Sequence, residues 1–591
     1  MPKHPFRATI LAGALLTAAP FIAPIRTAQA APQKVADGAI FPINGSFLKL
    51  TVLGDDIIRV SYAPSRTFFA RRGLMTVKPQ PTTAKWSLQS TPKTATLATS
   101  QLKVNVDLTT GTLAFYDSTG KPILREKSGG RVMEAAQVAG ENTSHVRQQW
   151  ESDPTESLYG MGQNQLGLVD IKGYDLELWQ RNTSVTVPFL VSSKGYGLLW
   201  DNTSYTRFGD LRQNTSIPAD QLFGADGKPG GLTGSYFSGA SFGGTAVATR
   251  VDPVINIQGR FPEPTMIALP EGVPARGDIS VRWEGTLVPK QSGDHIFDLF
   301  SNGQIKMTVD NRVVMDQFRQ SWLPHDDVAK VRLEAGKSYK IKLEWIRNQG
   351  ANTFKLGWKT PTTQTATSIW SEVGDGVDYY FVYGPKLDKV VSGYRRVTGR
   401  AALMPEWSFG LWQSRQRYEV GQASLDVIDQ FRTRKIPFDN IVQDWQYWPR
   451  DAWGSHKFDP IRFPDPQKWI DEIHAKNAHL MISVWGKFYT GTDNFNEMNA
   501  KGYLYQPNLQ QGLKDWIGFP YTFYDAFNPD ARKLFWSQMD KGLFSKGIDA
   551  WWMDATEPDL LAVPNLAGHK ANMAPTAGGT GARALNGYPL V

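Results

Sequence analysis

The stretch Gly547-Ile548-Asp549-Ala550-Trp551-Trp552-Met553-Asp554-Ala555-Thr556-Glu557-Pro558 reads as a short apolar strand closed by a carboxylate. An acidic side chain where a buried strand ends is how a (β/α)8 barrel presents its chemistry. Upstream the rhythm repeats. Residues 409–413 are an apolar strand ending at Trp412-Gln413, and Leu425, Ile428 and Phe431 follow at helical spacing. Ile441-Val442 opens a strand that runs into Asp444-Trp445, and Trp469, Ile470 and Ile473 mark a helix. Residues 480–485 form a strand leading to Trp485-Gly486-Lys487. Asn528-Pro529 supplies a cap and a first helical residue for a helix carrying Leu534, Phe535 and Leu543. Strand and helix alternate four times after residue 404, which implies parallel strands with crossover helices. A doubly wound sheet is the other solution. No Gly-x-Gly-x-x-Gly follows the first strand, and each strand ends in polar or aromatic groups, so the pattern predicts the first half of a TIM barrel.

Before residue 404 the period is two. Runs such as 47–52 and 96–99, separated by Gly, Asn, Asp and Pro, predict an antiparallel β-sandwich. The glycines of 224–234 predict a linker. Clean alternation over 279–283, 295–299 and 339–345 then predicts a second sandwich, and strand character resumes at 377–382 as though the first domain were being completed. The expected division is a signal peptide at 1–30, an N-terminal sandwich at 31–230, an inserted sandwich at 231–362, a return to the first sandwich at 363–403 and a partial barrel at 404–591. Trp283, Trp322, Trp345 and Trp358 of the insert are open between core and sugar platform.

Composition narrows the function. A chain of 591 residues with 41% apolar and 20% charged residues is a folded multidomain protein, not a disordered or fibrous one. The net charge of +8 is spread without a long basic run, which argues against nucleic acid. With no cysteine, disulfides, thiolate nucleophiles and Cys-ligated metals are excluded. His456, His474 and His479 lack ligand spacing with carboxylates, so neither metal nor cofactor is expected. Lys3 and Arg7, the apolar run 10–19 and Ala28-Gln29-Ala30 have the form of an export signal; Pro20 and Pro24 leave it too short to span a membrane. A periplasmic or extracellular protein is expected. Asn142, Asn182, Asn202 and Asn214 open Asn-x-Ser triplets, glycosylation acceptors only in a eukaryote.

Carboxylates ringed by tryptophans suit sugar chemistry, because aromatic faces pack on pyranose C–H faces while carboxylates bind hydroxyls or attack the anomeric carbon. Asp554 is the catalytic candidate. Asp444, Trp445, Trp485, Lys487 and Trp552 are the substrate-binding candidates, with Lys487 reaching a ring hydroxyl or holding Asp554 ionised. Taken singly, each Asp caps a turn and each Trp fills core. Three polar groups on successive strand ends favour the functional reading.

The chain resembles glycoside hydrolase family 31, and within it the bacterial xyloglucan-active α-xylosidases. The motifs that carry the resemblance are Leu158-Tyr159-Gly160-Met161-Gly162-Gln163, Val187-Pro188-Phe189-Leu190-Val191-Ser192-Ser193-Lys194-Gly195-Tyr196-Gly197, Tyr394-Arg395-Arg396-Val397-Thr398-Gly399-Arg400, Gln443-Asp444-Trp445-Gln446-Tyr447-Trp448, Arg462-Phe463-Pro464-Asp465-Pro466 and Trp552-Met553-Asp554-Ala555-Thr556-Glu557-Pro558. The resemblance implies a retaining, exo-acting α-glycosidase with Asp554 as nucleophile and Asp444 binding hydroxyls. It implies that the insert is a protective-antigen-type sandwich, either lengthening the oligosaccharide-binding surface or acting as a spacer. It also places an acid/base aspartate on a later strand than that of Asp554; Glu557 and Asp559 shape the loop instead, so the acid/base is expected beyond Val591 and the sequence reads as a C-terminally truncated fragment. Trp445, Tyr447 and Trp448 are the expected filter against the hydroxymethyl group that distinguishes glucose from xylose. An α-glucosidase and a non-catalytic carbohydrate-binding fragment are the alternatives. A purely structural surface protein leaves the strand-end carboxylates unexplained.

Overall fold

In the strand Leu102–Asp107 the apolar residues Leu102, Val104 and Val106 are buried while Lys103, Asn105 and Asp107 are not, and this alternation recurs through the N-terminal half. The computed structural model describes residues 31–554, apart from 72, 80–81, 139–140, 165, 180–184, 211, 213, 259–265, 276, 318–324, 348–352, 362–365, 511, 513 and 516. The expected export signal, Asn182, Trp322, Glu557 and Asp559 lie outside the described residues.

One sheet of eight strands runs in the order Gln33–Val35, Gly38–Ile43, Ser46–Gly54, Ile57–Ala63, Val377–Tyr383, Tyr196–Trp200, Val185–Ser192, Leu158–Gln163. A five-stranded sheet places Ala366–Ser371 between Glu141–Glu151 and Thr206–Gly209. Both sheets thus take a central strand from beyond residue 365, and the first sandwich is completed only after the insert. Phe41, Leu50, Trp150, Trp200, Ile369 and Phe381 share its core, to which a five-stranded meander adds Phe115, stacked on Phe381 at 4.1 Å.

The insert begins earlier than the glycine content predicts. Leu222–Gly224 and Leu232–Ser238 both pair with Ile279–Leu287, so the glycines between them make a turn within one sheet, not a linker. Gly227 and Gly230, at φ of 78° and 124°, supply backbone that other residues rarely adopt. Thr215 and Trp358 exchange backbone hydrogen bonds at 2.9 and 3.1 Å, which brings the two ends of the insert side by side. Trp283, Trp345 and Trp358 are core residues of the insert. The insert is tied to the first sandwich by Lys359, whose buried ammonium meets Asp175 at 3.1 Å and donates to the Asp210 carbonyl at 2.6 Å. Asp175 is also held by Arg207.

After the helix Leu387–Thr398, which packs on the first sandwich, four parallel strands lie side by side in sequence order. They are β1 (Trp412–Gln413), β2 (Asn440–Gln443), β3 (His479–Val484) and β4 (Ala550–Met553). The strand expected at 409–413 shrinks to β1. Phe409 is 77% exposed at the end of a 3-10 turn, and Gly410 abuts the Asp439 carboxylate, which accepts the Leu411 N–H at 2.9 Å. Helix α1 (Gly421–Thr433) follows β1 and α2 (Pro466–Ala475) follows β2; Asp465 caps α2. Helix α3 (Pro529–Gly542) precedes β4, and the Asn528 side chain accepts from Asp530 and Ala531 N–H as the sequence predicts. Between β3 and α3 runs an excursion that periodicity misses: helices Asp493–Ala500 and Gln506–Gln510, and an antiparallel pair, Lys487–Tyr489 with Tyr521–Phe523. Tyr505 of the excursion packs on Trp179, Tyr205 and Val373 of the first sandwich. No helix among the described residues is long and apolar enough to cross a membrane.

Lys359→Met should lower the free energy of unfolding by about 3 kcal/mol, the usual cost of breaking one arm of a buried ion pair. Urea denaturation of the two proteins measures it, and an unchanged midpoint would show that other contacts hold the insert.

Candidate active site

The pairing register decides which side chains reach the site. Ile441 lies beside Leu480, and Gln443 beside Ile482 and Trp551; the apolar members of this set pack with the helices around Leu425, Ile428, Trp469 and Ile470. The opposite face carries Val442, Met481 and Ala550, then Ser483 beside Trp552. Asp444, Trp485 and Asp554 continue that second set two residues further on. The Asp554 N–H donates to the Val484 carbonyl at 3.1 Å, extending the β3–β4 pairing by one step.

Both aspartates are half-buried at the C-terminal mouth of the strands. Asp444 Oδ1 accepts the Trp445 N–H at 2.6 Å. Burial pushes the Asp444 carboxyl above the usual carboxylate range; the Trp445 N–H opposes the shift and the negative charge of Asp554 adds to it. The register thus puts two carboxylates on one face at the same end of the strands. Trp485 is half-buried, its indole N–H donating to Ser483 Oγ at 3.0 Å, and Trp552 is 45% exposed.

Lys487 has a partner that the strand-end pattern does not predict. The strand-end pattern predicts contact with a sugar hydroxyl or with Asp554; in the structure its side chain has no solvent exposure and its ammonium pairs with Asp515 at 2.8 Å. It lies 4.1 Å from the Trp453 ring centroid and 4.7 Å from that of Tyr521. Burial raises the Asp515 carboxyl, yet hydrogen bonds from Lys487 and Tyr489 outweigh it and hold the group below its ordinary value. The predicted aromatic filter also divides. Tyr447 and Trp448 are 1% and 3% exposed and belong to the barrel core, which leaves Trp445 as the one half-buried member of the three.

Sequence reasoning passed over Trp453, Asp515 and Arg417. Trp453 ties the lining together, with its centroid 4.6 Å from Trp485, 4.9 Å from Trp448 and 5.8 Å from Trp445. No period links Asp515 to Lys487, and nothing in the chain order marks Trp453 apart from a core tryptophan. The histidines lie away from this mouth. His474 and His479 share Asp549 at 2.9 and 3.3 Å at the N-terminal end of β4, and His456 is buried, its pKa lowered by burial to about 4. Among the described residues no group of three or more His, Asp or Glu could hold a metal ion.

Residues 401–591 match the family 31 glycosyl hydrolase TIM-barrel domain, and residues 47–208 the family's N-terminal galactose mutarotase-like domain. The chain belongs to glycoside hydrolase family 31. Residues 227–369 match a PA14 domain, which names the insert of this family 31 chain. The chain is 27% identical over 558 residues to an α-xylosidase from Saccharolobus solfataricus, spanning 92% of this chain and 52% of that protein. It is 32% identical over 190 residues to α-xylosidase A of Aspergillus niger, spanning 31% of this chain and 25% of that one. The crystal structure of a family 31 α-xylosidase from Xanthomonas citri superposes with a TM-score of 0.81 at 37% identity, covering 94% of this chain and 61% of that one. The family 31 chain thus spans about half to three fifths of the length of the relatives that match it along most of its own length.

If the two carboxylates share one mouth, Asp554→Asn should lower the titration midpoint of Asp444 by removing a like charge. Carbon-13 NMR of the aspartate carboxyls, with Asp444 assigned by Asp444→Asn, reads the shift; an unmoved midpoint would mean that the two groups are electrostatically separate.

Proposed function

We propose that this chain carries the nucleophile of a retaining, exo-acting α-glycosidase that releases α-linked xylose from xyloglucan-type oligosaccharides. The observation that supports it most is the in-register parallel pairing that brings Asp444 and Asp554 to the same end and the same face of the strands, with Trp485 and Trp552. In this reading the Asp554 carboxylate attacks the anomeric carbon as the glycosidic C–O bond breaks, giving a covalent glycosyl-enzyme and an aglycone that takes up a proton. Water then displaces Asp554 from the opposite face, yields one proton to the group that protonated the aglycone, and restores the anomeric configuration. Asp444 accepts hydrogen bonds from sugar hydroxyls, and Trp445, Trp485 and Trp552 offer ring surface to the pyranose. The residue that protonates the aglycone lies outside the described residues. Trp445 alone takes over the role of excluding a hydroxymethyl group. The PA14 insert widens the surface for branched oligosaccharides.

A glycosyl fluoride tests the nucleophile without help from an acid, because fluoride departs unprotonated. Incubation with 5-fluoro-α-xylosyl fluoride should add one fluoroxylosyl group on the peptide containing Asp554, read by mass spectrometry, and none in Asp554→Asn. Faster labelling by the glucosyl analogue would make the chain an α-glucosidase; sugar binding without any label would make it a binding module. We also propose that the protein is exported, on the charge and hydrophobic pattern of residues 1–30. Protein recovered from the producing cells should then begin at Ala31 by N-terminal sequencing; a chain that retains residues 1–30 argues for the cytoplasm.

A further inference from the structure

Arg417 leaves β1 at the mouth of the strands, with its guanidinium carbon 5.0 Å over the Trp445 ring centroid. Its Nη1 donates to Gln446 Oε1 at 2.8 Å. Gln446 has φ of 62°, left-handed backbone that a side chain of this size holds only when its surroundings impose it. Arg462 helps to impose it, since Nη1 donates to the Gln446 carbonyl at 2.5 Å and Nη2 to the Trp448 carbonyl at 2.6 Å. Arg462 is itself paired with Asp459 at 3.3 Å, and the Asp459 N–H donates to the Tyr447 carbonyl at 2.9 Å. Two arginines therefore fix the side chain and the backbone of the residue that directly follows Asp444-Trp445.

The inner neighbour of Trp445 is held as firmly. Trp453 lies near-parallel to it, at 28° and 5.8 Å between centroids, and the Lys487 ammonium sits over Trp453 with Asp515 behind it. The contacts run in series from rim to interior: Arg417, Trp445, Trp453, Lys487, Asp515. Each of the two indoles has a cation over its ring, an attraction that strengthens as water is excluded. A half-buried tryptophan on a loop has rotamers to choose between, and a sugar that docks on it must wait for the right one. This series removes the choice before the sugar arrives.

We infer that Arg417 is a positioning residue that sets the orientation of Trp445 at the rim of the site, with Lys487 acting from the interior through Trp453. This role deepens the sugar-site reading and rests on it, but the first readout below needs no sugar. The full chain is labelled with 5-fluorotryptophan, and the Trp445 resonance in the fluorine-19 spectrum is assigned with Trp445→Phe. Arg417→Met should shift and broaden that resonance while leaving the thermal midpoint in place, and should weaken binding of methyl α-xyloside, measured by calorimetry, by about tenfold. Arg417→Lys keeps the charge but loses the planar fork, and should give an intermediate shift. The pair Lys487→Met with Asp515→Leu removes both buried charges together, so that no lone charge is left behind. It should remain folded and still move the Trp445 resonance.

An unchanged Trp445 resonance and unchanged affinity in Arg417→Met would overturn the inference. If the wild-type chain binds no methyl α-xyloside, the sugar-site reading fails, while the fluorine shift still decides the positioning role. Should Arg417→Met fail to fold, Arg417→Lys carries the decision on the same two readouts.

Discussion

In-register parallel pairing constrains the rest of the site. β2, β3 and β4 lie with Val442 beside Met481 beside Ala550, so a side-chain period of two sends the same set from each strand toward the same face. A slip of one residue in β4 would exchange Trp551 with Trp552 and turn Asp554 toward the helices, and a slip in β2 would do the same to Asp444. The apolar set Ile441, Leu480, Ile482 and Val484 guards against such a slip, because only one register buries it against Trp469, Ile470 and Ile473. The hydrophobic contacts on the helix side thus determine where the carboxylates stand on the other.

Beneath the mouth the protein encloses charge. A lysine and an aspartate without solvent exposure need each other and need further donors and acceptors, since removing charge from water is expensive. Tyr489 donates to Asp515, and the faces of Trp453 and Tyr521 surround the ammonium. Apolar residues of the same volume would fill the space at lower risk. What the pair adds is direction, because an ion pair set among rings has one geometry where a cluster of methyl groups has several.

Local sequence made much of this legible. Asn528-Pro529 announces α3 because a cap and a first helical residue act within one turn. Asp444 and Asp554 stand out because polar residues closing apolar strands are rare without cause, and the interrupted sandwich shows in strand character resuming at residue 377. Features that depend on distant partners were hidden. Lys487 gives no sign in the sequence of its buried pairing with Asp515. Tyr447 and Trp448 sit in the same motif as Asp444, yet the turn imposed at Gln446 sends them inward. Phe409 reads as strand because it is apolar, and only the contact of Gly410 with Asp439 shows the chain turning there. The glycines of 224–234 read as a linker because sequence does not reveal that Leu222–Gly224 and Leu232–Ser238 pair with one strand.

The backbone bonds between Thr215 and Trp358 make the insert a loop closed at its own neck. Hydrogen-bonded partners of this kind stand about 5.5 Å apart between Cα atoms, a gap that one or two residues bridge. The first sandwich therefore meets the whole insert as though it were a short turn on its surface. Its core takes its strands from either side of that neck and none from within. A module joined in this way can be gained, lost or exchanged for another over evolutionary time while the sheets beneath it, and the barrel that follows, keep their registration.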